Sequence, residues 1–374
     1  MEKNSGIILD EITDRCSFGE ITEKCADTND KKSSEGKRYS MECIHCGLCT
    51  KNCTFLSKYG MDLSDFESRQ DLAYNCFLCG RCKIVCPKDI DGRKIAISMR
   101  KKHLRANKGK INFKGYSGII WEKKNYLFKN YRRAKVGKSA IFTGCNFLSY
   151  LPKTADKLID LMRKYGIGAI FDCCGKPISE LGFENKEKNI IEALNRRLRE
   201  NGIEELIMVC PNCYYFLKGK LNVKIVDIYS KLIELDADIG LLGDEPKAFD
   251  KDVNGVGHDD KVFSFFRPCP DRESNELFGV VRSFYNDGKI NVLREQCCGA
   301  GGCASAREGE LSRGFRTDIK EQLKGEILYT YCATCVGFFR MENITTKHVL
   351  SDILDIEEDS TGNSLINRAK YAFK

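Results

Sequence analysis

The sequence predicts an α/β protein with an α-helical N-terminal part, followed by two repeated α/β units built on parallel sheets. Three observations lead there. Two cysteine loops near the N-terminus are joined and followed by stretches rich in straight-chain helix formers. Five cysteines then recur in the same order, twice, between residues 139 and 374. Within each recurrence, short apolar runs alternate with amphipathic ones, in the order strand, helix, strand, helix, strand.

The chain has 374 residues, enough for two or three domains with their own cores. Its 42% hydrophobic content is that of an ordinary globular protein, but 21 cysteines are not ordinary. A disulfide scaffold does not account for them. Such scaffolds are short and secreted, whereas this chain is long and opens MEKNSGIILDE, without the apolar core of a signal peptide. The count is odd, and close CxxC and CC spacings suit metal ligands better than disulfide partners. No run of about 18 apolar residues is present to span a bilayer. The expected setting is a reducing cytoplasm, with any membrane link supplied by a separate membrane protein.

Residues 1–40 read as a polar, mobile leader. Its Cys16 and Cys25 are expected to be spare thiols, since nothing nearby completes a ligand set.

Residues 41–105 carry Cys43-x2-Cys46-x2-Cys49-x3-Cys53 and then Cys76-x2-Cys79-x2-Cys82-x3-Cys86-Pro87. Three cysteines two residues apart wrap a loop around one cubane cluster. The fourth lies too far along the chain to close the same cluster and reaches the neighbouring one. The spacing therefore predicts two [4Fe–4S] clusters, one on Cys43, Cys46, Cys49 and Cys86, the other on Cys76, Cys79, Cys82 and Cys53. Zinc favours separated CxxC knuckles and fits this pattern poorly. Cys86 is followed by proline and Cys53 by Thr54, a departure that removes no ligand. His45, inside the first loop, is expected at the surface or behind the ligands. Lys51, Arg81, Lys83 and Lys88 would offset cluster charge. The 22 residues between Cys53 and Cys76 and the run from Gly92 to Arg105 read as helical.

Residues 106–138 read as a basic connector. The stretch 100–138 holds 14 Lys and Arg against Glu122 alone, +13 in a chain whose total is +8. A solvated linker is the simplest reading, and docking to an acidic partner or electron donor is the next. Phe113, Tyr116, Trp121, Tyr126, Phe128 and Tyr131 interleave with the charges, but no nucleic-acid-binding fold accompanies them, so nucleic acid is not expected as a partner.

Residues 139–250 and 251–374 are the two repeated units. The first has Cys145, Cys173-Cys174-Gly175 and Cys210-Pro211-Asn212-Cys213. The second has Cys269, Cys297-Cys298-Gly299 and Cys332-Ala333-Thr334-Cys335. In both, 27 residues separate the lone cysteine from the pair, and 35 and 33 then precede the CxxC. Strands are expected at 139–144, 168–172, 206–209, 262–266, 290–293 and 327–331, and helices at 153–165, 186–201, 275–286 and 309–324. Leu158, Ile159, Leu161, Met162 and Tyr165 share one face of the first helix, and Gly166 stops it. Strand–helix alternation implies right-handed parallel crossovers, which places the cysteines at the carboxyl ends of strands, where open α/β sheets build their sites.

With these motifs in view, residues 41–105 resemble the helical dicluster ferredoxin domain of heterodisulfide reductase C subunits and of fumarate reductase iron–sulfur subunits. The segments TGCNF, FDCCGKP, VCPNC, PCP, CCGAGGC and YCATC look like the cysteine-rich CCG domains of heterodisulfide reductase B subunits. The whole is similar to the fused, D-type heterodisulfide reductase chain, which carries both parts. The resemblance implies a noncubane [4Fe–4S] cluster on Cys145, Cys173, Cys174, Cys210 and Cys213, and another on Cys269, Cys297, Cys298, Cys332 and Cys335. It also implies that these ten cysteines form the catalytic centre, with a disulfide substrate between the clusters. Two departures stand out: a shorter spacing before each CC pair, and Pro270 where many relatives have histidine after the cysteine. Cys303 reads as a spare small residue.

Two functions follow from the resemblance. One is a heterodisulfide reductase-like oxidoreductase that takes electrons through the cubanes to the CCG sites. The other is a non-catalytic electron-transfer subunit of a flavin-linked dehydrogenase of the glycolate, lactate or glycerol-3-phosphate oxidising type. No GxGxxG opens a strand–helix unit, so the electron source is expected to be a partner, a flavoprotein or another ferredoxin. Gly299-Ala-Gly-Gly302 follows a cysteine pair and reads as close backbone approach to a cluster.

Overall fold

The two N-terminal cysteine loops fold as near copies. Each turns through a left-handed residue and then a left-handed glycine, His45 (φ 51°) and Gly47 (φ 71°) in one, Leu78 (φ 53°) and Gly80 (φ 76°) in the other. Each then enters a single helical turn, Leu48–Lys51 or Arg81–Ile84. This computed structural model describes residues 38–239, 262–285, 288–294, 297–358 and 364–374. The 1–40 leader up to residue 37, with Cys16 and Cys25, lies outside the described residues, as does the boundary expected at 250.

Short helices link the loops. Thr54–Lys58 follows Cys53 directly. Leu63–Ser68 is fixed by a capping box in which Asp62 accepts from the Ser64 and Asp65 amides at 2.7 and 3.0 Å while Asp65 accepts from the Asp62 amide. Gly92–Ala106 is capped by Asp91 and buries Ile95, Ala96, Met99 and Leu104. These close a core with Phe55, Leu56 and Phe66, joined by Ile178, Leu181 and Phe183 from the first α/β unit.

The first unit carries β1 (Ser139–Phe142), β2 (Gly168–Ile170), β3 (Glu205–Met208) and β4 (Lys224–Asp227), all parallel, in the order β2-β1-β3-β4. Phe142 sits in register with Ile170 on one side and Met208 on the other. The second carries β5 (Val262–Phe265), β6 (Lys289–Val292), β7 (Leu328–Thr330) and β8 (Thr346–His348), in the equivalent order β6-β5-β7-β8. β4 and β8 are edge strands that periodicity did not reveal.

The helix Pro152–Lys164 buries Ala155, Leu158, Ile159 and Met162 as its apolar stripe requires, and the chain leaves it through Gly166 at φ 68°. Glu184–Glu200 and Gly309–Leu323 match the expected second helices. The expected helix at 275–286 is shorter. Glu276–Val281 is helical, Arg282–Tyr285 continues as a 3-10 turn, and Asn275 caps the start in the left-handed region. One apolar core runs through both units, with Phe142, Leu206 and Leu158 from the first and Phe265, Tyr331 and Val349 from the second. Each such side chain contributes about 1.5–3 kcal/mol on burial. The C-terminal helix Ser364–Phe373 returns to the first unit, where the Tyr371 hydroxyl donates to the Pro152 carbonyl at 2.9 Å.

Buried polar contacts join the helical part to the sheets. Arg100, fully buried, donates to the carbonyls of Ala73, Cys76, Glu180 and Gly302 at 2.8–2.9 Å. Glu308, almost fully buried, accepts from Lys58 at 2.6 Å, Tyr59 at 2.7 Å and Asn75 at 2.5 Å. Among the described residues no helix is long and apolar enough to cross a membrane.

Candidate metal centres

The eight N-terminal cysteines converge in two crosswise groups. Cys43, Cys46 and Cys49 line one concavity with Cys86, beside Asp62, Leu63 and Ile90. Cys76, Cys79 and Cys82 line the other with Cys53, beside Phe55, Phe77 and Arg93. The walls are close: a Cβ on Gly92 would lie 2.7 Å from the Cys82 Sγ. Burial pushes the Cys76 thiol up to about 11, and burial together with the Cys79 and Cys76 charges raises Cys53. Thiols that resist ionising when alone suit a site whose metal supplies the balancing positive charge. His45 is exposed, with Nδ1 2.6 Å from Asp62 Oδ2, and Asp62 in turn lies 3.9 Å from the Cys43 Sγ. His45 is thus part of the exposed loop itself, and one ligand atom each of Cys43, His45 and Asp62 lie within 4.8 Å of one another.

The ten remaining motif cysteines lie just past the carboxyl ends of strands. Cys145 opens the helix Cys145–Tyr150 after β1, Cys173 and Cys174 follow β2, and Cys210 caps the helix Pro211–Leu217 after β3. In the second unit Cys269 follows β5, Cys297 and Cys298 follow β6, and Cys332 caps the helix Ala333–Arg340 after β7. Each CC pair runs into a left-handed glycine, Gly175 at φ 85° and Gly299 at φ 86°.

Sulfur contacts repeat as well. The Cys145 and Cys173 Sγ atoms are 4.0 Å apart. Cys174 accepts from Cys173 and Cys213, which draws its thiol down to about 5. Cys298 accepts in the same way from Cys297 and Cys335 and falls well below the ordinary range. Gly144 presses on the first group, since a Cβ there would meet the Cys213 Sγ at 2.9 Å. A set of buried thiols hydrogen-bonded to one another suits a soft metal, and the residues present fit iron–sulfur groups.

The helical turns Leu48–Lys51 and Arg81–Ile84 pack against each other, which sets the two N-terminal groups side by side, and the four groups adjoin in series. A Cβ on Gly301 would lie 2.1 Å from the Phe77 carbonyl oxygen, so the glycine loop of the second unit lies directly on the Cys76–Cys82 loop. The Phe77 and Phe315 rings meet edge to face at 5.0 Å, and Cys79 and Cys297 belong to one buried cluster with them. Between the two units, Asn212 Nδ2 lies 3.4 Å from the Cys332 Sγ and Asn146 donates to Thr334 at 2.7 Å. Within the run 299–302, Gly301 and Gly302 lie against the Phe77 and Cys76 carbonyls of the Cys76–Cys82 loop, and Gly299 lies against Ser312.

Several residues at these sites escaped the sequence reading. Arg272 lies beside Cys269 and Cys298, and Lys176 beside Cys174 and Cys269. Lys123 and Tyr126, from the basic run, lie within electrostatic reach of Cys145 and Cys173. The run is not simply a solvated linker, because Tyr116, Lys123 and Tyr126 are buried. Net charge gave no sign of this. Burial pushes Cys303 up to about 11, and its backbone is left-handed at φ 54°.

Fold and thiol groups together define an iron–sulfur electron-transfer protein. The model of a 4Fe-4S dicluster domain matches residues 39–90, and that of the cysteine-rich CCG domain matches residues 139–218 and 264–340. The chain belongs to the iron–sulfur proteins that place a 4Fe-4S dicluster domain ahead of two CCG domains. It is 24% identical to an uncharacterized iron–sulfur protein of Methanococcus maripaludis, over 82% of this chain and 68% of the relative. It is 23% identical to another from Methanocaldococcus jannaschii, over 84% and 71%. It is also 23% identical to the B subunit of the fumarate reductase (CoM/CoB) of Methanothermobacter marburgensis, over 78% and 66%. A Picrophilus torridus aspartate racemase structure overlaps with a TM-score of 0.31 at 14% identity, over 58% of this chain and 91% of that one, too slight to bear on fold or function.

Proposed function

We propose that this chain receives electrons from a flavoprotein or ferredoxin partner and uses them to reduce a disulfide-type substrate, as heterodisulfide reductases do. Residues 41–105 act as the relay and 139–250 and 251–374 as the two halves of the reaction centre. Cys43, Cys46, Cys49 and Cys86 hold one cubane [4Fe–4S] cluster, and Cys53, Cys76, Cys79 and Cys82 the other. Cys145, Cys173, Cys174, Cys210 and Cys213 hold a third, noncubane cluster, and Cys269, Cys297, Cys298, Cys332 and Cys335 a fourth. When bound, such clusters accept and release electrons singly, so a series of them can deliver the two that a disulfide needs.

The observation that carries the reading is the serial contact of the four groups, from the exposed Cys46 inward through Phe77 and Gly301 to Cys297 and then across Asn212. The chain's residues exclude water from the last two groups, where all but Cys145 and Cys269 are buried. The reaction balances as one S–S bond, two electrons and two protons giving two thiols, with the reduced partner as the electron source.

The relative named as the B subunit of a fumarate reductase (CoM/CoB) supports a thiol–disulfide couple at the CCG sites. Its place in a multi-chain enzyme also supports the second reading, a relay within a flavin-linked dehydrogenase. An anaerobic assay separates the two. The chain, kept reduced by viologen, is offered thiol disulfides. The reductase consumes two reduced viologens per disulfide. No turnover with any disulfide, together with tight co-purification with a flavoprotein, would establish the relay instead.

A further inference from the structure

Lys123 ends the helix Ser117–Lys123, and only 6% of its side chain is exposed. Tyr126 is 4% exposed, and its hydroxyl is buried with no hydrogen-bond partner among the described residues. The ammonium stands 4.8 Å from the centre of the Tyr126 ring. Both side chains lie within electrostatic reach of the thiols of Cys145 and Cys173. Glu122 and Arg368 tie Lys123 to the helix that Cys145 opens, where Arg368 donates to the Ser149 hydroxyl and that hydroxyl donates to the Cys145 carbonyl.

Among the described residues, charge around this pair does not balance. Glu122 Oε1 lies 2.9 Å from Lys123 Nζ and 3.1 Å from Arg368 Nε, so one carboxylate serves two buried cations. Arg368 spends another nitrogen on the Ser149 hydroxyl at 2.6 Å, a neutral partner. A buried ammonium is costly unless negative charge faces it. The surplus positive charge and the unsatisfied hydroxyl lie within reach of the same two sulfurs. By contrast, Lys176 has its own carboxylate, Glu180, four residues on.

We propose that Lys123 and Tyr126 are positioning residues that donate hydrogen bonds to the sulfur atoms of the iron–sulfur group at the first CCG site and raise its reduction potential. The proposal rests on the reading of that site as a cluster site. Donors to sulfur and nearby positive charge stabilise the more negative, reduced state. The basic run thus serves as a roof to the first site, pinned by Arg368 on the C-terminal helix. The second site has a different cation from within its own repeat, Arg272, whose Nε donates to the Arg267 carbonyl at 3.0 Å and whose guanidinium lies over the Phe266 ring. The effect of Lys123 and Tyr126 is therefore confined to one cluster of the four.

The test is an EPR-monitored redox titration of the full chain, purified without oxygen. The first-site signal is identified as the one that disappears in Cys174→Ser. In Lys123→Met that signal should titrate at lower potential, with at least a tenfold change in the reduced-to-oxidised ratio at fixed potential, 59 mV for a one-electron couple. Tyr126→Phe should move it the same way by less, and Lys123→Arg should restore most of the shift, while the other signals stay in place. A first-site signal unmoved by Lys123→Met and Tyr126→Phe, or all signals moving together, would overturn the proposal. If Lys123→Met fails to assemble its clusters, Tyr126→Phe decides, since it keeps the ring and its packing. Absence of any Cys174-dependent signal in the unaltered protein would overturn the cluster reading itself, a distinct outcome.

Discussion

Replacing Arg100 with methionine should loosen the dicluster part from both CCG units at once. The guanidinium is fully buried and holds four carbonyls, Ala73 and Cys76 in the helical part, Glu180 in the first unit and Gly302 in the second. It also lies 5.0 Å from the centre of the Tyr74 ring. Methionine fills much of the volume but satisfies none of the acceptors. Hydrogen bonds from a charged donor contribute about 1.5–3 kcal/mol each, so four set an upper bound of about 6–12 kcal/mol. Removing the charge also removes its own desolvation cost, which offsets part of that. The expected loss is about 3–5 kcal/mol, the range found when a buried charged network is broken. Denaturant unfolding reads the global effect and amide hydrogen exchange the local one, with protection falling first around residues 73–79 and 300–304. Electron transfer from the cubanes to the CCG sites should slow in parallel. An unfolding midpoint and exchange pattern unchanged from the parent protein would refute the reasoning.

Three further substitutions test separate links. Glu308→Gln should flatten the acid limb of the stability curve. Burial alone would raise this carboxyl, but bonds from Lys58, Tyr59 and Asn75 hold it below its ordinary value, so its contribution is full above the unfolded pKa and is lost as pH falls through the lower folded one; equal acid sensitivity in both proteins would count against it. Gly144→Ala puts a methyl 2.9 Å from the Cys213 Sγ at φ 70° and ψ 158°, a region essentially reserved for glycine that costs about 1–3 kcal/mol for the conformation alone, and should lower iron at the first CCG site, read by metal analysis. Ile44→Glu introduces charge where Met41, Ile44 and Leu48 stand exposed around the Cys46 loop; reduction by a protein donor such as a ferredoxin should slow while reduction by dithionite does not.

Much of this protein was legible in its cysteines because ligand spacing is a local property. The exchange of Cys53 and Cys86 between loops follows from chain reach, and the structure brings those thiols together. The five-cysteine repeat likewise gave three strands of each sheet. The fourth strands were missed because β4 and β8 lead to no motif cysteine and carry Lys224 or Lys347 with little alternation to read. The helix Pro211–Leu217 was hidden by its aromatic run, Tyr214-Tyr215-Phe216, which has weak helical preference. Arg100 and Lys123 could not be told apart from their exposed neighbours, since burial of one cation in a basic run depends on partners that lie hundreds of residues away, Gly302 and Arg368 among them.

The central claim is that eighteen cysteines build four iron–sulfur sites, eight in crosswise cubane sets and ten in CCG sets. Iron and acid-labile sulfide analysis of the anaerobically purified chain tests it most directly. About sixteen iron atoms per chain are expected, four at each site, with matching sulfide. About eight iron atoms would contradict the CCG half of the claim, and zinc without sulfide would contradict all of it.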